Sequence, residues 1–148
     1  MSSRTAWAVL GLAFLVAGCS TAPPESPAPT RVITSIVLDR TGGDVGLDDH
    51  LVLNPNGDWV YTDGKGRREQ GVLAAGKTAD AYGIASGKEF ARELAAPMAS
   101  PHCVDAPLLR LTVGNGSAGY VDCTDEVPVH LGQLVEILQV EILNKLPR

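Results

Sequence analysis

The sequence predicts an α+β fold: an antiparallel sheet, made of a strand meander plus a hairpin, with helices packed on one face. Short apolar or β-branched runs alternate with turn residues in the first half of the domain. A second pair of such runs flanks an Asn-Gly dipeptide, and an amphipathic helical pattern lies near the end of the chain. Strands joined by short turns run antiparallel, because a parallel connection needs a dozen or more residues.

Six strands are predicted. Arg31–Arg40 is rich in β-branched residues, and the glycine-rich run TGGDVG ends it. The second strand, LDDHLVLN, has leucines at alternate positions and is followed by the turn residues NPNGD. WVYTD and RREQGVLA, separated by the turn DGKG, complete the meander. LLRLTVG and SAGYVDCT form the hairpin, with its turn predicted at Asn115 and Gly116.

Helices are predicted in two regions. The first is Lys77–Ala95, where Gly83 and Gly87 weaken the first half, which allows two short helices in place of one. In the second, Asp125 is the expected cap and Pro128 falls in the first turn. Its broad apolar face comprises Leu131, Leu134, Val135, Leu138 and Ile142.

Size and charge restrict the possible partners. Residues 31–148 are long enough for one globular domain with a single core. Seventeen Asp and Glu residues against twelve Lys and Arg make the chain mildly acidic. It has no basic stripe interleaved with aromatic residues, so nucleic acid is not an expected partner.

The run GVLAAGKT, residues 71–78, has the spacing of a phosphate-binding loop. In such a loop Lys77 would contact phosphate and Thr78 would bind magnesium. A working loop, however, joins a parallel strand to a helix, whereas the strands before this run are predicted to be antiparallel. We therefore expect no nucleotide to bind and assign Lys77 a structural role.

The N-terminus predicts export. Arg4 precedes the apolar run Ala6–Ala17, which is shorter than the roughly 20 residues that a membrane-spanning helix needs. This order predicts a signal peptide over residues 1–18. The ending LVAGC resembles the lipobox of bacterial lipoproteins, which implies that the chain is cut before Cys19 and lipidated on it. The alternative is an ordinary cleaved signal in which Cys19 is incidental.

Residues 19–30 are predicted to be a tether. They include four prolines and almost no bulky apolar side chain, a composition that favours extended chain over a packed core. Two or more acyl chains on Cys19 would hold the protein stably at a membrane. The expected location is therefore the extracytoplasmic face of the cell membrane, reached through a lipid anchor.

The two other cysteines, Cys103 and Cys123, are predicted to form a disulfide, because exported domains of this size favour such bonds. A metal site that adds His102 is the alternative, but it lacks a fourth ligand and any C-x-x-C spacing. We expect no metal and no cofactor.

No pattern in the sequence combines a nucleophile, a base and an oxyanion donor, so the protein is not expected to be an enzyme. Asp44, Asp48 and Asp49 form an acidic cluster at the glycine-rich run TGGDVG. We interpret the cluster as a solvated sheet edge, with weak cation binding as the alternative.

The stretch VLDRTGGDVGLDDHLVLNPNGDWVYTD resembles the start of emfourin-like domains, small inhibitors of thermolysin-like metalloproteases such as protealysin. The matching residues are Gly42, Gly43, Gly46 and Leu47, and the order of elements matches over residues 33–142. Asp44 stands where the family usually has a bulky apolar residue. The resemblance implies the same fold and an inhibitory contact through this turn.

The glycine turn is accordingly the predicted partner-binding site. Its seven residues are Thr41, Gly42, Gly43, Asp44, Val45, Gly46 and Leu47. Glycines let the backbone take positive φ and approach a partner closely. The alternative is an ordinary turn or bulge. At the level of function, the chain is expected to be a binding module that inhibits a secreted metalloprotease or binds another envelope protein. The alternative is a structural envelope lipoprotein without a tight partner.

Overall fold

The computed structural model describes residues 33–96, 103 and 105–147. The predicted signal peptide, Cys19 and the tether lie outside these residues, as does His102. Within the described part of the chain, no helix is both long and apolar enough to cross a membrane.

Six strands form one sheet, and every neighbouring pair is antiparallel. The strands are β1 Ile36–Gly42, β2 Leu47–Leu53, β3 Asp58–Thr62, β4 Arg68–Val72, β5 Pro107–Val113 and β6 Gly116–Val121. Their order in the sheet is β4-β3-β2-β1-β5-β6. The predicted meander and hairpin are thus confirmed, and they join along β1 in the interior of the sheet.

Three helices complete the α+β fold. They are α1 Ala75–Ser86, α2 Lys88–Ala95 and α3 Val129–Glu141, and a 3-10 turn, Leu143–Lys145, follows α3. The first helical region forms two short helices, the alternative that its glycines allowed, and the division falls at Gly87. That residue has extended backbone angles (φ −67°, ψ 146°) and separates α1 from α2.

The core lies between the helices and one face of the sheet. Alternate side chains of the strands point into it, as a pleated strand requires. Those of β1, β2 and β5 that are almost fully buried are Ile36, Leu38, Leu51, Leu53, Leu109, Leu111 and Val113. Phe90 of α2 and the whole predicted apolar face of α3 are buried against them. Burying a side chain of this size stabilises the fold by roughly 1.5–3 kcal/mol.

Two details of the prediction are wrong. Val113 pairs with Gly116, so the hairpin loop is Gly114 and Asn115, one residue earlier than predicted. Gly114 has φ +57°, and glycine at the first loop position is typical of a type II′ turn. Helix α3 is also not capped by Asp125, because the helix begins later and Pro128 occupies the N-cap.

The first turn of α3 is capped from a neighbouring helix instead. Glu93 of α2 accepts hydrogen bonds from the backbone N–H groups of His130 (3.1 Å) and Leu131 (2.8 Å). The same carboxylate lies 2.8 Å from Nδ1 of His130. These bonds satisfy two of the backbone donors that every helix leaves unpaired at its start, and they join α2 to α3.

Candidate functional site

The glycine turn projects from one end of the sheet. Within it, Thr41 and Gly42 still belong to β1 and pair with Asp48 and Leu47 of β2, so the residues that connect the two strands are 43–46. Gly42, Gly43 and Gly46 have φ values of +82°, +75° and +62°. Other residues adopt this left-handed region only with strain, which explains the three glycines.

The turn is held in place by the segment before β5. The backbone N–H of Asp44 donates to the carbonyl oxygen of Asp105 at 3.2 Å, and Gly46 N–H donates to Gly43 at 3.0 Å. A Cβ added to Gly43 would lie 3.3 Å from Cδ of Pro107. The turn is therefore supported on one side by residues 105–107.

A disulfide fastens that supporting segment to the sheet. Cys103 precedes the segment, and Cys123 follows β6; their Cα atoms are 6.5 Å apart, within the usual range for a disulfide. The predicted pairing is confirmed. In the sequence, Cys103 lies two residues before Asp105, whose carbonyl oxygen accepts the bond from Asp44.

The tip of the turn carries an exposed apolar side chain. Val45 is 80% exposed, the highest value among the large exposed hydrophobic residues of the described chain. Asp44 beside it is also exposed. Because the turn is hydrogen-bonded at its base, Val45 is presented on fixed backbone.

A groove of about 920 Å³ lies next to the turn. Its walls are the glycine turn, the β3–β4 turn (residues 63–67) and the C-terminal segment after α3 (residues 143–147). This size is in the range of sites that take small ligands or peptide side chains. No sequence pattern indicates the groove, because its three walls are far apart in the chain.

The floor of the groove contains a buried polar cluster. Asp49 is only 6% exposed, forms a short ion pair with Arg40, and accepts a hydrogen bond of 2.6 Å from the Tyr61 hydroxyl. Burial raises the pKa of Tyr61, and the bond to Asp49 raises it further, against a smaller opposing effect of Arg67. The prediction of a solvated edge is wrong for Asp49, which shares its side of β2 with buried Leu51.

A second polar cluster lies in the β3–β4 turn, which is one wall of the groove. Asp63 accepts bonds from the backbone N–H groups of Lys65 (3.0 Å) and Arg67 (2.9 Å), and from Nε of Arg67 (3.2 Å). These contacts hold the pKa of Asp63 below its ordinary value, and the Arg67 backbone bond has the largest effect. The Arg67 guanidinium lies 5.6 Å from the Tyr61 ring centre and donates to the carbonyl oxygen of Pro147. Arg67 thereby connects the β3–β4 turn to Tyr61 in the floor and to the C-terminal segment.

The GVLAAGKT run has no phosphate-loop geometry. Its first two residues end β4, which pairs antiparallel with β3, and its last four begin α1. The Thr78 hydroxyl is engaged with the carbonyl oxygens of Leu73 (3.3 Å) and Ala74 (3.2 Å). Lys77 Nζ lies 3.7 Å from Glu141 of α3. These contacts are those of a strand–helix junction.

Within the described residues, no three His, Cys, Asp or Glu side chains are grouped so that they could hold a metal ion. His50 pairs with Asp39 at 2.7 Å, and His130 pairs with Glu93. Comparison with known proteins found no matching family model, curated protein or solved structure. The emfourin-like character of the domain and the lipid anchor stay predictions.

Proposed function

We propose that this chain is a lipid-anchored, non-catalytic binding module on the extracytoplasmic face of a bacterial membrane, and that it inhibits a thermolysin-like metalloprotease through its glycine turn. The observation that carries the proposal is Val45, exposed at the tip of a turn that is fastened at its base. An apolar side chain on a fixed turn suits insertion into the cleft of another protein.

The direction of β1 favours this display. The strand begins near residue 36, on the side of the tether, and reaches the turn after seven residues, a distance of about 23 Å at the usual strand rise. A domain tethered through residues 19–30 would thus have its attachment and its turn at opposite ends of the sheet. The turn would point away from the membrane and be accessible to a partner.

The rigidity of the turn contributes to binding. A loop that must order itself loses free energy on association, whereas a turn already held in its bound shape avoids that cost. The bond from Asp44 N–H to Asp105 and the disulfide nearby provide this order. The Asp44 carboxylate is exposed, so in a cleft it must meet a cation of the protease, such as the catalytic zinc or an arginine.

The proposal is tested by measuring how the purified full chain, kept in detergent, affects the activity of thermolysin-like proteases. Wild type should inhibit, and Val45→Asp should weaken inhibition by about tenfold or more, because a buried unpaired charge is costly. Val129→Asp is the matched control, since Val129 is also exposed (64%) but lies at the start of α3. Gly43 is unsuitable as a probe, because its positive φ makes substitution destabilising.

Two results would decide against the inhibitor. One is a wild type without effect at micromolar concentration, and the other is equal weakening by Val45→Asp and Val129→Asp. The first would leave the structural envelope lipoprotein as the alternative.

The anchor is tested separately by labelling cells with a clickable fatty acid. Wild type should carry the label and Cys19→Ser should lose it. Label that persists in Cys19→Ser, or is missing from wild type, would refute lipidation at this residue.

A further inference from the structure

Two of the three acidic groups that line the groove are already occupied. Both oxygens of Asp49 are engaged, one by Arg40 and the other by Tyr61. Both oxygens of Asp63 are also engaged, by backbone N–H groups of its turn and by Nε of Arg67. The remaining acid at this groove is Asp48, which is exposed at the rim.

The basic groups, by contrast, keep unused donors. Arg40 bonds to Asp49 through Nη2, and within the described chain neither its Nη1 nor its Nε has a hydrogen-bond partner. Nε is shielded from solvent, so Nη1 is the donor that a ligand can reach. Lys65 Nζ also forms no ion pair with any residue that the structure describes, although Lys65 lines the groove. An Arg guanidinium carries five N–H donors, so Nη1 can bond a second carboxylate while Nη2 stays on Asp49. The free hydrogen-bonding capacity of the groove therefore suits an anion.

Aliphatic side chains lie beside these donors. Leu47 and Val45 come from the glycine turn, and Leu143 and Leu146 come from the C-terminal segment. We propose that the groove binds a carboxylate of a peptide segment together with a neighbouring aliphatic side chain, with Arg40 and Lys65 as the cationic contacts. The inference rests on the proposed function, because it assigns that peptide to the partner that the glycine turn holds.

A carboxylate fits better than a phosphate group. Asp48 and Asp49 contribute negative charge at the same groove, and like charges close together are unfavourable. A dianion would meet this repulsion twice over. Since Arg40 is already paired with Asp49, Lys65 is the cation left to balance a single carboxylate charge. The carboxylate can come from an acidic side chain or from the free C-terminus of a peptide.

Three short peptides distinguish these sources. N-acetyl-aspartyl-leucine amide offers a side-chain carboxylate, N-acetyl-alanyl-leucine offers a terminal carboxylate, and N-acetyl-asparaginyl-leucine amide is the neutral control of matched shape. Each is titrated into the ¹⁵N-labelled full chain in detergent micelles, and NMR shifts are followed. At least one charged peptide should give saturable shifts in Arg40, Lys65 and Leu47, about tenfold tighter than the neutral control.

Variants connect those shifts to the cations. Arg40→Lys keeps a charge opposite Asp49 but loses the Nη1 donor, and should weaken binding by about tenfold. Lys65→Ala should weaken it by a smaller factor, and Lys88→Ala, an exposed lysine on α2, should leave it unchanged. If Arg40→Lys does not fold, Lys65→Ala against Lys88→Ala still decides the question.

Two outcomes would overturn the inference. In one, neither charged peptide shifts the groove signals; in the other, the neutral peptide binds within about twofold of the charged ones. Binding of a charged peptide without protease inhibition would support the peptide site in the groove and refute the proposed inhibitor function. Inhibition that is indifferent to Arg40→Lys and Lys65→Ala would support the inhibitor and refute the assignment of the bound peptide to the protease.

Discussion

Replacing Glu93 by glutamine should weaken the junction between α2 and α3. The carboxylate accepts backbone bonds from both His130 and Leu131, at 3.1 and 2.8 Å, and also contacts the His130 ring. Glutamine has one oxygen, so its NH₂ group would face a backbone N–H donor. The change removes one capping bond and the negative charge at the helix start without altering the size of the side chain.

The magnitude follows from those two losses. A capping hydrogen bond is worth about 1 kcal/mol, and a negative charge at a helix N-terminus contributes roughly 0.3–1 kcal/mol. Glu93→Gln should therefore lower the free energy of unfolding by about 1–2 kcal/mol at pH 7. Glu136→Gln is the control, because this substitution removes the same charge at an exposed position of α3.

The effect should depend on pH. Burial alone would raise the pKa of Glu93, but bonds from His130 and from the His130 and Leu131 backbone outweigh it and lower the pKa. A lowered folded-state pKa gives stability that is present above the unfolded-state value, about 4.3, and is lost as pH falls through the folded-state value. Urea denaturation at pH 7 and at decreasing acid pH should show the two proteins converging. A difference that stays constant, or is equalled by Glu136→Gln, would refute the reasoning.

Three further predictions concern other parts of the fold. Reducing the Cys103–Cys123 bond, which spans 20 residues, should cost about 3 kcal/mol in the chain-entropy model; equal denaturation midpoints with and without reductant would contradict this. Gly71→Ala places a Cβ 2.5 Å from Cζ2 of Trp59, so it should cost about 1–3 kcal/mol and change tryptophan fluorescence; unchanged melting and fluorescence would count against it. Mg-ATP should not raise the melting temperature, although a true site near Lys77 would stabilise the fold by about 2.7 kcal/mol at 100 times its dissociation constant; a saturable rise would restore the nucleotide interpretation.

The strands and the last helix could be predicted because their signals are local. Alternation placed Leu109, Leu111 and Val113 on one face, and all three are buried. The cap of α3 could not be predicted in this way, since Glu93 lies 37 residues from His130 in the sequence. A local rule favoured Asp125, and a contact between two helices replaced it.

At the candidate site, the sequence identified the turn but missed its surroundings. The glycines predicted positive φ, which Gly42, Gly43 and Gly46 confirm. The burial of Asp49 had one available signal, its spacing from Leu51 on the same side of β2. Its partner Arg40, however, is opposite it only through the strand register. The groove depends on the docking of the C-terminal segment, which no local pattern describes.

The interior position of β1 has a mechanical consequence. All seven residues of β1 pair with β2 on one side and with β5 on the other. If a partner pulls on the glycine turn while the opposite end of the strand is attached to a membrane, tension passes along β1 itself. Since both points of force lie on this one extended strand, its covalent backbone carries the load. The two ladders are not the load path, so the pull does not separate β1 from its neighbours.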